Sequence, residues 1–288
     1  MGRTAVGFEG TMILYFENSA INWVLGQPRG LVRDMGVAGQ VTLSEYNVLE
    51  MAATSKTQLR HRLLRTANKL AGENRPLVQA GTFLRKLLRA WRDGKVQAGI
   101  SVGPRHAAWQ YLNHPNKVGA RHQATALSEL QRLQSQFQGM QSGGREHFQP
   151  FLNDARLRKK YSTPDTFVEQ HIKDHDFSNG FLRNFFIDFG CREAIGRVPE
   201  LLNDIREGRA FYLGQLYGIH EWAIGLRPPN AKKPLGSVDL LQLCYLPMVD
   251  YFVTADRRLR NVAEAVARAC APTRVLSPTA LRRELALQ

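Results

Sequence analysis

The chain has 288 residues, of which 43% are hydrophobic, which is enough apolar material for one large domain or two small ones. This composition excludes wholesale disorder, and no apolar run reaches the roughly 18 residues that a membrane span requires. Lysine and arginine number 39 against 25 aspartates and glutamates, so the net charge is +14. Such a charge favours a polyanionic partner. Nucleic acid is the first candidate and an acidic protein the second, and a basic protein without a polyanionic partner stays open.

The expected compartment is the cytoplasm, with no membrane partner. The N-terminus lacks the basic segment, apolar core and cleavage site of a signal peptide. The three cysteines, Cys191, Cys244 and Cys270, are scattered and show no zinc-ligand spacing. Unpaired thiols of this kind are typical of a reducing environment.

A strand and a helix are predicted close to the N-terminus. Residues 12–16, MILYF, form an apolar run typical of a short buried strand, and Glu17 follows it directly. The next segment, NSAINWVL, has apolar residues on one helical face, and QPRG at 27–30 ends it. An acid therefore stands where the first strand meets the first helix.

A second strand and helix follow. QVTL at 40–43 predicts a short strand, and Ser44 is a typical N-cap for the helix EYNVLEMAAT, which carries Glu50. Strands that alternate with helices indicate an α/β domain.

The middle of the chain, residues 55–235, shows little strand alternation and several amphipathic helices, among them KTQLRHRLLRTANKLA, PLVQAGTFLRKLLRAW and ATALSELQRLQSQFQGM. The α/β pattern returns after Gly236. A helix from Ser237 leads to the strand YFVT, and a helix, the strand TRVL and a last helix follow. We therefore predict an α/β core formed by residues 11–54 and 236–288, with residues 55–235 as a mostly helical insertion.

Four acids lie near predicted strand ends or on the helices beside them: Glu17, Glu50, Asp239 and Asp256. The carboxyl ends of parallel strands meet at one edge of a sheet, where binding sites form. Clustered carboxylates repel one another, and a hard divalent cation such as Mg²⁺ offsets that repulsion. Each acid also has a structural interpretation. Asp256 can cap a helix, Asp239 can be a first-turn residue that the helix dipole favours, and Glu50 can be a solvated helix residue.

Three motifs in order resemble those of PIN-domain nucleases: MILYFENSAINWVL, VTLSEYNVLE and VDLLQLCYLPMVDYFVTADRRL. The resemblance covers about residues 11–54 and 236–280, and the last motif is the most specific. It implies a PIN-like parallel sheet flanked by helices, and metal-dependent cleavage of single-stranded RNA or structured nucleic acid.

The resemblance also implies roles for individual residues. Glu17, Glu50, Asp239 and Asp256 would bind Mg²⁺ or Mn²⁺ and act in catalysis. Ser19 would support the first acid, and Thr254 would orient Asp256 through its hydroxyl. The family has Asp where this chain has Glu17, a departure of one methylene that leaves full activity in question.

Basic residues recur at helical spacing in the predicted insertion. Helices of this kind can lay cations along a phosphate backbone. The candidate nucleic-acid-binding residues are Arg62, Arg65, Lys69, Arg85, Lys86 and Arg89.

The sequence thus predicts a Mg²⁺- or Mn²⁺-dependent endonuclease that cleaves RNA in preference to DNA. By analogy alone, a toxin or defence effector is a suitable setting. The first alternative is a catalytically weak or inactive PIN-like protein that binds nucleic acid. The second is a basic helical adaptor for an acidic protein. An inhibitory protein partner and a homo-oligomer both stay open.

Overall fold

The structure is a computed structural model, and it describes residues 11–94, 101–135, 154–188, 192, 195–223 and 237–286. The predicted end of the helical insertion, at 235–236, lies outside these residues, as does Cys191.

Four short strands form one all-parallel sheet in the order β2-β1-β3-β4. They are β1 (Ile13–Phe16), β2 (Gln40–Thr42), β3 (Tyr251–Val253) and β4 (Arg274–Leu276). Two strands come from each end of the chain, so the predicted α/β class and the joining of both chain ends are confirmed. The central strands β1 and β3 are largely buried, which explains why their sequences are continuously apolar instead of alternating.

The strand order creates a switch point at the carboxyl ends of β1 and β3, where a crevice is expected in a parallel sheet. From β1 the chain runs through α1 (Asn18–Leu25) and α2 (Arg29–Ala38) to β2 on one side. From β3 it runs through α14 (Arg257–Cys270) to β4 on the other side. In parallel sheets, ligands bind where neighbouring strands send their connections in opposite directions.

Most of the described chain is helical, as predicted. No helix in the described ranges combines the length and the apolar character needed to cross a membrane. Short 3₁₀ helices cover Pro115–Lys117 and Gln242–Met248, so the predicted helix from Ser237 changes geometry after one turn. The remaining helices are α3 (Glu45–Ala53), α4 (Thr57–Ala71), α5 (Ala80–Arg92), α6 (Ala107–Asn113), α7 (120–135), α8 (Ala155–Lys160), α9 (Pro164–Lys173), α10 (His175–Asp188), α11 (Val198–Asp204), α12 (Arg206–Ala223), α13 (Ser237–Leu241) and α15 (Pro278–Glu284).

Helix α2 was not predicted from the sequence. Its two glycines lower helix propensity, which weakens the local signal. The helix is stabilised by packing: Leu31, Val32 and Met35 are buried, and α2 lies against α4. At Gly36 a Cβ would lie 3.3 Å from a backbone oxygen of α4, so the small residue allows the close approach.

The predicted insertion and the sheet share one hydrophobic core. Tyr15 of β1 stacks on Tyr245 with ring centroids 5.4 Å apart, and Tyr245 stacks on Phe83 of α5 at 5.6 Å. Helix α12 packs on α13, α14 and the second 3₁₀ helix. A Cβ on Gly218 of α12 would overlap Leu240, so this glycine allows α12 to approach the segment that carries Asp239. The division into a core and an insertion stays a prediction.

Candidate metal-binding site

Glu17 lies at the carboxyl end of β1 and caps α1. Its Oε2 accepts hydrogen bonds from the backbone N–H of Ser19, at 2.9 Å, and from Thr254 Oγ1, at 3.0 Å. Ser19 Oγ donates to the same oxygen. The side chain is buried, and these donors hold its carboxylate in one orientation.

Ser19 and Thr254 also join the ends of the two central strands. Ser19 Oγ accepts from the backbone N–H groups of Ala255, at 2.9 Å, and Asp256, at 3.1 Å. Thr254 Oγ1 accepts from the same Asp256 N–H at 3.1 Å. Thr254 was predicted to orient Asp256 through its hydroxyl, and the hydroxyl contacts the backbone N–H of Asp256 and not its carboxylate.

The carboxylate of Asp256 caps α14. Its Oδ1 accepts from the N–H groups of Arg258, at 2.7 Å, and Leu259, at 3.2 Å, and the residue is exposed. This is the structural interpretation that the sequence left open. Asp256 also lies close enough to Glu17 for its charge to raise the pKa of that carboxyl. Asp256 therefore both caps α14 and lies near Glu17.

Glu50 faces the same crevice from α3. Asn18 Nδ2 donates to Glu50 Oε2, and the Tyr46 hydroxyl is also hydrogen-bonded to the Glu50 carboxylate. Burial first, and then the charge of Asp239, raise the pKa of Glu50 to about 8. Asp239 is half-buried in α13. Glu50 and Asp239 are thus neighbours, although they lie at opposite ends of the chain.

Mutual repulsion connects the four acids. The charge of Glu17 also raises the pKa of Glu50. Burial raises the pKa of Glu17, and the hydrogen bonds from Ser19 and Thr254 oppose that rise. Neighbouring carboxylates in a poorly solvated crevice are unfavourable unless protons or a cation neutralise them.

One orphaned atom lies beside this cluster. Asn18 Oδ1 is buried and has no hydrogen-bond partner among the described residues, while the other amide atom of the same side chain contacts Glu50. An unpaired buried acceptor calls for a donor or a cation. Carboxylate and amide oxygens are the donors that Mg²⁺ and Mn²⁺ prefer, so the types of side chain present suit such an ion. Within the described ranges, no group of three or more His, Cys, Asp or Glu side chains is arranged so that it could hold a metal ion.

Asn18 and Tyr46 were not predicted to be neighbours of the acids. Their signals were weak but present. Asn18 directly follows Glu17, and Tyr46 lies four residues before Glu50, on the same face of α3.

The candidate nucleic-acid-binding residues differ in exposure. Arg62, Arg65 and Lys69 of α4 and Arg89 of α5 are exposed. Arg85 and Lys86 are half-buried, and each has a polar or electrostatic interaction within the protein. Helix α4 packs against α1 and α3, the helices that carry Asn18 and Glu50.

One member of the same basic run has a structural role. Arg60 of α4 is buried, donating to the backbone oxygens of Thr54, at 2.6 Å, and Val118, at 3.0 Å. It therefore fastens the start of α4 to a neighbouring loop.

Together these features define an α/β protein with a four-stranded parallel sheet and an acidic crevice at its carboxyl edge. The chain matches no protein-family model, no curated protein and no solved structure.

Proposed function

We propose that the protein is a PIN-like, Mg²⁺- or Mn²⁺-dependent endonuclease that cleaves RNA. One observation carries the proposal: Glu50 lies close to two other acids from separate elements, and burial, the charge of Asp239 and the charge of Glu17 together raise its pKa to about 8. Such an arrangement is unfavourable for folding, and it is typical of sites that serve a ligand.

Glu17, Glu50 and Asp239 would hold the cation, and Asp256 would add negative charge beside Glu17. A bound Mg²⁺ or Mn²⁺ would neutralise these acids, polarise a phosphodiester and lower the pKa of a water molecule. Ser19 and Thr254 keep the Glu17 carboxylate in place. Glu50 would have to be ionised to hold the cation, so metal binding would strengthen as pH rises.

The basic surface would hold the substrate. Arg62, Arg65 and Lys69 lie on the exposed side of α4, which packs against two helices of the acidic crevice. Contacts of this kind bind phosphates without reading sequence. The preference for RNA, and a setting as a toxin or defence effector, rest on the resemblance to PIN-domain nucleases.

A second candidate is a PIN-like nucleic-acid-binding protein that has lost catalysis. Two observations favour it. Asp256 Oδ1 is engaged in capping α14, and Glu17 stands where the family has Asp. The same basic helices would then bind RNA without cleaving it.

Cleavage assays separate the two candidates. Labelled single-stranded RNA and DNA are incubated with wild type, Asp239→Asn, Glu50→Gln and, as a matched control, the exposed acid variant Glu73→Gln, with Mn²⁺ or with a chelator. We expect RNA cleavage that needs the metal, a loss of about 100-fold or more in the two crevice variants, and no loss in the control. RNA binding without cleavage by wild type would favour the second candidate, and equal cleavage by all four proteins would refute the site.

A further inference from the structure

Three buried polar side chains form a hydrogen-bonded group in the core, within two or three residues along the chain of Glu17, Glu50 and Asp239. The Tyr15 hydroxyl can donate its one hydrogen either to Asn47 Oδ1, 2.9 Å away, or to Gln242 Oε1, 2.5 Å away. Asn47 Nδ2 donates to Gln242 Oε1 at 3.0 Å. These residues, here named the polar triad, are at most 1% exposed.

Each member of the polar triad lies two or three residues from one of the acids. In extended backbone, residues two apart lie on one side, and in a helix, residues three apart lie on one face. The pairs are Tyr15 of β1 with Glu17 just after that strand, Asn47 with Glu50 on α3, and Gln242 at the start of the second 3₁₀ helix with Asp239 of α13.

The polar triad makes the relative position of these three elements specific. A hydroxyl and two amides are costly to bury unless they are paired. Their mutual bonds form in one register only, so a slip of any element would leave buried groups unpaired. Ser44 strengthens this register, because its N–H and Oγ each donate to Asn47 Oδ1 at 2.8 Å.

Packing alone does not account for Gln242. Its Nε2 is buried and has no hydrogen-bond partner among the described residues, so an aliphatic side chain would be less costly at this position. The favourable part of the amide is Oε1, which faces Tyr15 and Asn47. The residue therefore contributes the link between α13 and the other two elements.

We propose that Tyr15, Asn47 and Gln242 are positioning residues that set the spacing of Glu17, Glu50 and Asp239 for metal binding. The proposal rests on the metal site proposed above. Groups that orient the residues holding a metal, without contacting it, change metal affinity by about 10- to 100-fold when they are removed.

The test compares Tyr15→Phe and Gln242→Met with a matched control, Tyr212→Phe. Tyr212 is also fully buried, and its hydroxyl faces α9 and α10, at 2.7 Å from Ser178 Oγ and 3.5 Å from the backbone oxygen of His171. The Mn²⁺ dissociation constant is measured by titration calorimetry, and the melting temperature without metal is measured beside it. We expect both triad variants to bind Mn²⁺ at least about tenfold more weakly than wild type, and the control to bind as wild type does, at a similar loss of melting temperature.

Triad variants that bind Mn²⁺ as tightly as the control would overturn the positioning proposal and leave the metal site standing. A wild type that binds no Mn²⁺ would instead overturn the proposed function. In that case, the hydrogen bonding between Tyr15 and Gln242 is tested by the denaturation midpoints of Tyr15→Phe, Gln242→Met and the double variant. Non-additive losses support a coupled polar triad, and additive losses overturn it. If Gln242→Met does not fold, Tyr15→Phe, which removes a single oxygen, carries the metal comparison.

Discussion

Replacing Glu50 with glutamine tests whether the ionised Glu50 carboxylate destabilises the fold in the absence of metal. Glutamine keeps the length of the side chain and an oxygen that can accept from Asn18, but it cannot ionise. Burial and the charge of Asp239 raise the pKa of Glu50 from 4.5 to about 8. We therefore expect Glu50→Gln to be more stable than wild type at alkaline pH without metal.

The size of the effect follows from proton linkage. Between pH 4.5 and about 8, the folded state holds a proton on Glu50 that the unfolded chain has released. The free energy of unfolding of wild type therefore falls as pH rises through this window, and it levels off above it. The pKa difference is 8 − 4.5 = 3.5. At about 1.4 kcal/mol per pKa unit, ionised Glu50 costs the folded state on the order of 5 kcal/mol.

The assay is denaturant unfolding of wild type and Glu50→Gln at pH 4, 7 and 9, with a chelator present. The exposed acid variant Glu73→Gln serves as the control and should follow wild type at every pH. The stability gain of Glu50→Gln should be near zero at pH 4 and reach a few kcal/mol at pH 9, and added Mg²⁺ should reduce it by stabilising wild type. A variant that is no more stable than wild type at pH 9 would refute the account of a partly buried, repelled carboxylate.

Three further predictions concern the site and the basic surface. Glu17→Asp keeps a good helix cap and introduces the residue that PIN-domain nucleases have at the resembling position, so we expect RNA cleavage to be retained or raised in a rate assay. Abolished cleavage would contradict the proposed resemblance of the first motif. Asp256→Asn keeps the cap of α14 and removes the charge, so the melting temperature should change little while the cleavage rate falls about 100-fold. Asp256→Ala should also lose about 1 kcal/mol of stability. Cleavage at the wild-type rate by Asp256→Asn would show that the residue is only a cap. A triple variant replaces Arg62, Arg65 and Lys69 with glutamine. It should lower the slope of log affinity for single-stranded RNA against log salt concentration by about 3 × 0.7, or roughly 2. An unchanged slope would exclude the exposed face of α4 from the interface.

Several elements could be predicted from local patterns alone. The four strands were found from short apolar runs, and Ser44 marked the start of α3 because its side chain accepts from Asn47 N–H at 3.2 Å. Helix α2 could not be predicted in this way. Its glycines obscure the helical signal, and packing on α4 supplies its stability.

By itself, the sequence determined the α/β alternation, the basic charge and the placing of Glu17 and Asp256 just past predicted strands. Strand spacing, caps and charge are local properties, so they can be read along the chain. Only the tertiary structure decided that Glu50 contacts Asn18, that Arg60 is buried in spite of its charge, and that Tyr15 and Gln242 meet across the core. These contacts join residues far apart in sequence, and they depend on how helices and strands pack, which no local pattern encodes.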